Sequence, residues 1–191
     1  MNKPFPIIVF VLTAALLLLP GCGEAEQVTG PEIREIPVVD ADAVTELRKQ
    51  AAAEGKVLVI DCWATWCSSC VAMFPKLHEA MQERGDDVML VTLNYDEGAD
   101  AVKKAGAFLT EQHAWDNAYI TAEGFDAKDA ITTALSDTWD GGALPAVFVY
   151  KPDGSSAYEM LETRGEVQDW VAGIASAVDE ALQDADDAPG Q

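Results

Sequence analysis

The stretch DCWATWCSSC, Asp61 to Cys70, holds all but one of the chain's 4 cysteines, together with Trp63 and Trp66. Three thiols this close can hold a metal, staple a loop or exchange electrons. Cys62, Cys67 and Cys70 have the spacing C-x4-C-x2-C, which matches three ligands of a plant-type two-iron ferredoxin. The fourth ligand should be a downstream cysteine, and none follows. His78 and His113 are the only imidazoles, and His78 would have to fold back from beyond Cys70. A zinc site would also need Cys62 to leave an apolar strand. No metal and no other cofactor is therefore expected. A purely structural disulfide between Cys67 and Cys70 would close a very small loop and add little stability.

Electron exchange suits the local pattern better. Val57 to Ile60 is an unbroken apolar run, as expected of a strand buried on both faces of a sheet. A short loop follows, and Cys67 falls where the next helix begins. A thiol at a helix N-terminus faces unpaired backbone N–H groups and the positive end of the helix dipole, both of which favour the nucleophilic thiolate. Cys70 lies one turn on, so the Cys67–Cys70 pair can cycle between dithiol and disulfide. Cys67 attacks, and Cys70 resolves the mixed disulfide.

Working outward, Val38-Val39 forms a candidate first strand. A helix capped by Asp40 or Asp42 then runs to about Glu54, with Val44, Leu47 and Ala51 inward and Gly55 ending it. The helix after Cys67 runs to about Arg84 with Pro75 inside it, where one hydrogen bond is lost. Val88 to Tyr95 reads as a second buried strand. Gly98 to about Thr110 reads as a helix with Val102, Ala105 and Leu109 inward. Asp126 to Leu135 reads as another, capped by Asp126, with a short strand at Tyr119-Ile120 before it. Ala146 to Tyr150 and Ser156 to Leu161 form a hairpin through the KPDG turn, Lys151 to Gly154. A last helix, Glu166 to Leu182, has an apolar stripe of Val167, Trp170, Val171, Ile174, Val178 and Leu182. Strand–helix alternation ending in a hairpin predicts an α/β fold, a mixed sheet with helices on both faces.

The ends read differently. Lys3 and the apolar run Ile7 to Leu19 have the form of an export signal, too short for a membrane span. The run ends in LLLPGC, which resembles a bacterial lipobox with Cys22 as the lipidated first mature residue. The expected organisation is a signal peptide at 1–21, a polar tether at 22–37, the folded domain at 38–183 and an acidic disordered tail at 184–191. The formal charge is -21, from 12 Lys and Arg against 33 Asp and Glu. That balance argues against a nucleic-acid partner, because phosphate contacts need clustered cations.

Together these residues resemble the thioredoxin family. Trp66, Cys67 and Cys70 form its W-C-x-x-C core, and VLVIDCWATWCSSC carries the preceding strand. Asp61 matches the family's buried acid, Pro75 its kinking proline, and ALPAVFVYKPDG its cis-proline strand and hairpin, with Pro145 as the cis-proline. The resemblance covers about residues 38 to 183. The long segment between Tyr95 and Pro145, with the export signal and tether, resembles the membrane-anchored TlpA/ResA branch. Its N-terminal β-hairpin signature is not visible, and Ser69 stands where Pro is usual.

The resemblance implies a thioredoxin-like sheet with an extended central insertion before the cis-proline strand. It implies an exported, lipid-anchored thiol-disulfide oxidoreductase that reduces disulfides of exported proteins, apocytochrome c among them, and is recharged by a membrane electron donor. Asp61 would relay a proton to Cys70. Trp66 would be a flat apolar surface beside the nucleophile, and the Leu144 backbone beside Pro145 would pair with an extended substrate. Cys62, alternating with Asp61, would be a small buried hydrophobe facing the other side of the sheet. An oxidase or isomerase of folding proteins, or a binding lipoprotein without turnover, remain the alternative functions. The Ser68-Ser69 dipeptide leaves the direction of electron flow open.

Overall fold

The computed structural model describes residues 34–161 and 164–186. Cys22, the export signal and most of the tether lie outside the described residues. Among the described residues six strands form one mixed sheet: β1 Val38–Val39, β2 Val57–Trp63, β3 Val88–Asn94, β4 Ala118–Thr121, β5 Ala146–Tyr150 and β6 Ser156–Met160, in the spatial order β1-β4-β3-β2-β5-β6. β2 pairs in parallel with β3 and antiparallel with β5, so it sits at the centre. Every residue of β2 is buried, which is why its sequence is an apolar run rather than an alternation.

The helices are α1 Ala41–Ala53, α2 Ser68–Gln82, α3 Ala101–Gln112, α4 Phe125–Leu135 and α5 Val167–Asp186. Strand side chains alternate between two apolar layers. Val57, Val59, Val147 and Val149 pack with Met73 and Leu77 of α2 and with Ile174 and Val178 of α5. Leu58, Ile60, Cys62 and Phe148 pack on the other face with Val44 of α1 and Ile131 of α4. Within α2, Pro75 has no N–H to give the Val71 carbonyl, yet the helix continues through it to Gln82. The long segment before β5 adds α3, β4 and α4, and β4 inserts between β3 and β1. Phe108 of α3 packs on Trp63 and Phe74, which places α3 on the α2 face.

Four boundaries depart from the sequence reading. Ile36 is buried, and the Pro37 carbonyl accepts from the Ile120 N–H, so the last residues assigned to the tether belong to the domain. At the other end α5 continues to Asp186, and Asp184, assigned to the tail, pairs with Lys151. α4 is capped by Gly124 at φ 108°, without a side-chain bond, and Asp126 lies in the first turn instead. There its carboxylate still faces the positive end of the helix. Because α3 begins at Ala101, its inward positions are Ala101, Ala105 and Leu109, and Val102 turns out to solvent. Of the two candidate caps for α1, Asp40 takes the role, accepting from the Ala43 N–H at 2.9 Å, and Asp42 lies in the first turn.

Candidate functional site

Cys67 is the N-cap of α2, with extended backbone at φ -88° and ψ 99°. Its sulfur accepts the Cys70 backbone N–H at 3.2 Å. That N–H is one of the donors a helix start leaves unpaired, and it points at the atom that becomes the thiolate on reduction. Cys67 and Cys70 are joined in a disulfide, with their Cα atoms 5.2 Å apart. The Ser69 hydroxyl lies 3.4 Å from the Cys67 sulfur, a contact that the more usual proline has no atom to make. On reduction, Ser69 Oγ–H can donate to the thiolate, so this departure adds a donor at the reactive atom.

Asp61 is buried on the sheet face that α2 and α5 cover, and both its oxygens lack a hydrogen-bond partner. Burial alone pushes its carboxyl up from 3.8 to about 7. Its register neighbour on β3, Thr92, is also buried with an unpaired hydroxyl. Cys62 is a free thiol, fully buried in the layer with Leu58 and Ile60, on the face opposite Asp61. Burial first, and then the Asp61 charge, push its thiol well above its ordinary range. The Tyr95 phenol lies near it in the same layer but makes no well-formed hydrogen bond, and burial raises that group too. The structure therefore joins two of the three thiols of the opening motif and sets the third aside. Among the described residues no group of three or more His, Cys, Asp or Glu side chains is placed to hold a metal ion. His78 instead stacks on Phe74 at 4.2 Å between ring centroids, and burial lowers its imidazole to about 4.

The loop before Cys67 has an anchor that the sequence reading missed. Buried Asp96 accepts from both the Thr65 N–H and the Thr65 hydroxyl through Oδ1, at 3.0 Å each. Its Oδ2 accepts from Asn94 Nδ2, and its N–H donates to Asn94 Oδ1. The signal was present as Asn94-x-Asp96 at a strand end, where short polar side chains bond nearby backbone. Nothing in the sequence indicated Thr65 as the distant partner.

Leu144–Pro145 is a cis peptide at the start of β5, whose Ala146 pairs in register with Cys62 at the end of β2. Trp63 is wholly buried, whereas Trp66 is 68% exposed next to Cys67. Trp66 and Leu144 border a cleft of about 750 Å³. Its far wall comes from α4, through Lys128, Asp129 and Thr132, and from the loop Asp140 to Ala143. Among the described residues no helix is long and apolar enough to cross a membrane.

A profile of the family described as Thioredoxin matches residues 38–108, the span from β1 through the disulfide into α3. A thioredoxin of Bacillus subtilis is 41% identical over 82 residues, covering 41% of this chain and 78% of that protein. A thioredoxin of Echinococcus granulosus is 42% identical over 67 residues, covering 35% of this chain and 57% of that protein. For several curated relatives the chain spans only about half of their length. A crystal structure of a thiol:disulfide interchange protein, a thioredoxin family protein from Chlorobium tepidum, superposes with a TM-score of 0.52 at 18% identity. It covers 78% of this chain and 97% of that one, a likeness of fold.

Proposed function

The chain belongs to the thioredoxin family, and from that premise we propose that it is a thiol-disulfide oxidoreductase acting through Cys67 and Cys70. The observation that carries this reading is the Cys67 sulfur at the start of α2, held by the Cys70 N–H and bonded to the Cys70 sulfur. In the reductive direction the Cys67 thiolate attacks a substrate disulfide. A Cys67–substrate bond forms, the substrate S–S bond breaks, and one substrate thiolate leaves and takes a proton from solvent. Asp61 then accepts the Cys70 proton, and the Cys70 thiolate attacks the Cys67 sulfur. The mixed disulfide breaks, the second substrate thiolate departs, and the Cys67–Cys70 disulfide is restored. Two electrons have passed to the substrate, and a dithiol donor must return two. A carboxyl held near neutrality suits Asp61 to this exchange, since it can both accept and release the proton.

Reduction of disulfides in exported proteins, apocytochrome c among them, is the direction we infer, with a membrane donor supplying electrons. Supporting it are the apolar run Ile7 to Leu19, the lipobox-like LLLPGC ending at Cys22, and the length of the segment between Tyr95 and Pro145, the sequence feature that resembles the membrane-anchored TlpA/ResA branch. Lipidation of Cys22 would hold the domain at a membrane surface, in a compartment where disulfides form and break. Substrate would lie against Trp66 and pair with the Leu144 backbone beside Pro145. Insulin reduction with dithiothreitol as donor tests the activity. The wild type is expected to accelerate precipitation of the reduced chains, and Cys67→Ser to abolish the acceleration. A fully reduced wild type that leaves the rate at the uncatalysed level would overturn the reading.

A further inference from the structure

The cleft beside the disulfide has a chemistry of its own. Its charged lining groups are Glu97, Asp129 and Asp140 against one cation, Lys128. Lys128 is already engaged: it pairs with Glu97 and reaches the Tyr95 carbonyl at 3.5 Å. Neither Asp129 nor Asp140 has a basic partner among the described residues, and Asp140 accepts only the Gly142 N–H, with Oδ1. Thr132 lines the same cleft, a residue 7% exposed whose hydroxyl makes no hydrogen bond to another described residue. Gly141, at φ 75°, runs so close that a Cβ there would sit 2.9 Å from Thr132 Oγ1. A hydroxyl open to the cleft and without a protein partner, in the same lining as two carboxylates that have no basic partner, offers a donor-rich cation both charge and hydrogen bonds.

Resting on the exchange reading above, we propose that this cleft is a subsite for a Lys or Arg side chain of the disulfide-bearing substrate, near its reacting cysteine. The cleft meets the exchange site at Trp66 and Leu144, so a chain leaving the Cys67 sulfur past either residue enters it. Asp129 and Asp140 take the cation, and Thr132 Oγ accepts one of its N–H groups. A carboxylate-bearing segment meets the same two charges as repulsion, so the subsite selects by sign as well as by fit. α4 and the Asp140–Ala143 loop both belong to the long segment between β3 and β5, which makes that segment the specificity element of the domain.

The test compares two peptides carrying the same intramolecular disulfide, one flanked by lysines and one by glutamates. The full chain, reduced beforehand, is mixed with each, and the second-order rate of peptide reduction is read. The lysine peptide is expected to react about tenfold faster at low salt, with the ratio falling severalfold at about 0.5 M salt. Asp129→Asn combined with Asp140→Asn should bring the ratio close to unity; Asn keeps an acceptor for the Gly142 N–H. Asp86→Asn with Asp87→Asn removes the same net charge at the opposite end of β3 and should keep the ratio. Equal rates in the wild type overturn the subsite, as does a preference that survives the cleft variant or falls equally in the remote one. Failure to reduce either peptide removes the oxidoreductase reading itself and the subsite with it, so the two failures are told apart.

Discussion

Asp61 is buried beside Thr92 with no partner on either oxygen. Its carboxyl, raised to about 7 by burial, is neutral in the folded protein over a range where the unfolded chain has lost the proton. Between about pH 4 and 7 the native state therefore binds more protons, and stability falls as pH rises through that window. Three units correspond to roughly 4 kcal/mol. Asp61→Asn carries no charge at any of these pH values. Its stability relative to wild type, measured by urea unfolding of the oxidised proteins, should rise by a few kcal/mol between pH 4 and pH 8. A difference that does not change with pH would mean that Asp61 is not desolvated. The same substitution removes the group that accepts the Cys70 proton, so its effect on exchange should be a loss of rate while stability improves. Opposite signs for one residue are expected where burial of a charge serves chemistry rather than folding.

The helix α2 presents the disulfide, but its register relative to the sheet depends on the loop from Ala64 to Trp66. That loop is tied to the end of β3 by the two Thr65 bonds to Asp96. Asp96→Ala removes the acceptor and leaves the Thr65 N–H and Asn94 Nδ2 unpaired, at a cost of about 2–3 kcal/mol. The expected result is a lower urea midpoint with an unchanged m-value. Exchange by the surviving folded protein should also slow, as the Cys67 position loosens. An unaltered midpoint would show that the loop holds its place without this network. The elements around the disulfide were largely legible in sequence. Val57–Ile60 reads as a strand buried on both faces, Cys67 as a helix start, and Asp40 as one of two candidate caps. The lost detail depended on contacts between distant segments. Asp126 has the chemistry of a cap, but the helix already starts at Phe125, with Gly124 before it at a φ of 108° that favours glycine. Val102 fitted the apolar period of α3, but Ala101 takes its place in the buried row with Ala105 and Leu109, and Val102 faces solvent. The Thr65–Asp96 tie and the closeness of Tyr95 to Cys62 join residues far apart in the chain, where no local period exists to read.

Across the whole molecule, the charge of -21 and the inserted segment act together. Arg48 holds that segment down: it donates to the Ala134 carbonyl of α4 and to the Gly154 carbonyl of the β5–β6 turn, and it stacks over Tyr150 at 4.2 Å. α4 is thereby fixed against α1 with the cleft on its outer side, and the cleft opens beside the one exposed tryptophan next to the disulfide. The Cys67 sulfur is the atom that would meet substrate, with Cys70 covered behind it and Cys62 sealed in the core. The most direct measurement is trapping: the Cys70→Ser protein, reduced and then offered a disulfide peptide, followed by alkylation and peptide mapping. The expected result is one peptide adduct on Cys67 and an unmodified Cys62 that alkylates only after denaturation. An adduct on Cys62, or none on a Cys67 shown to be reduced, would contradict it.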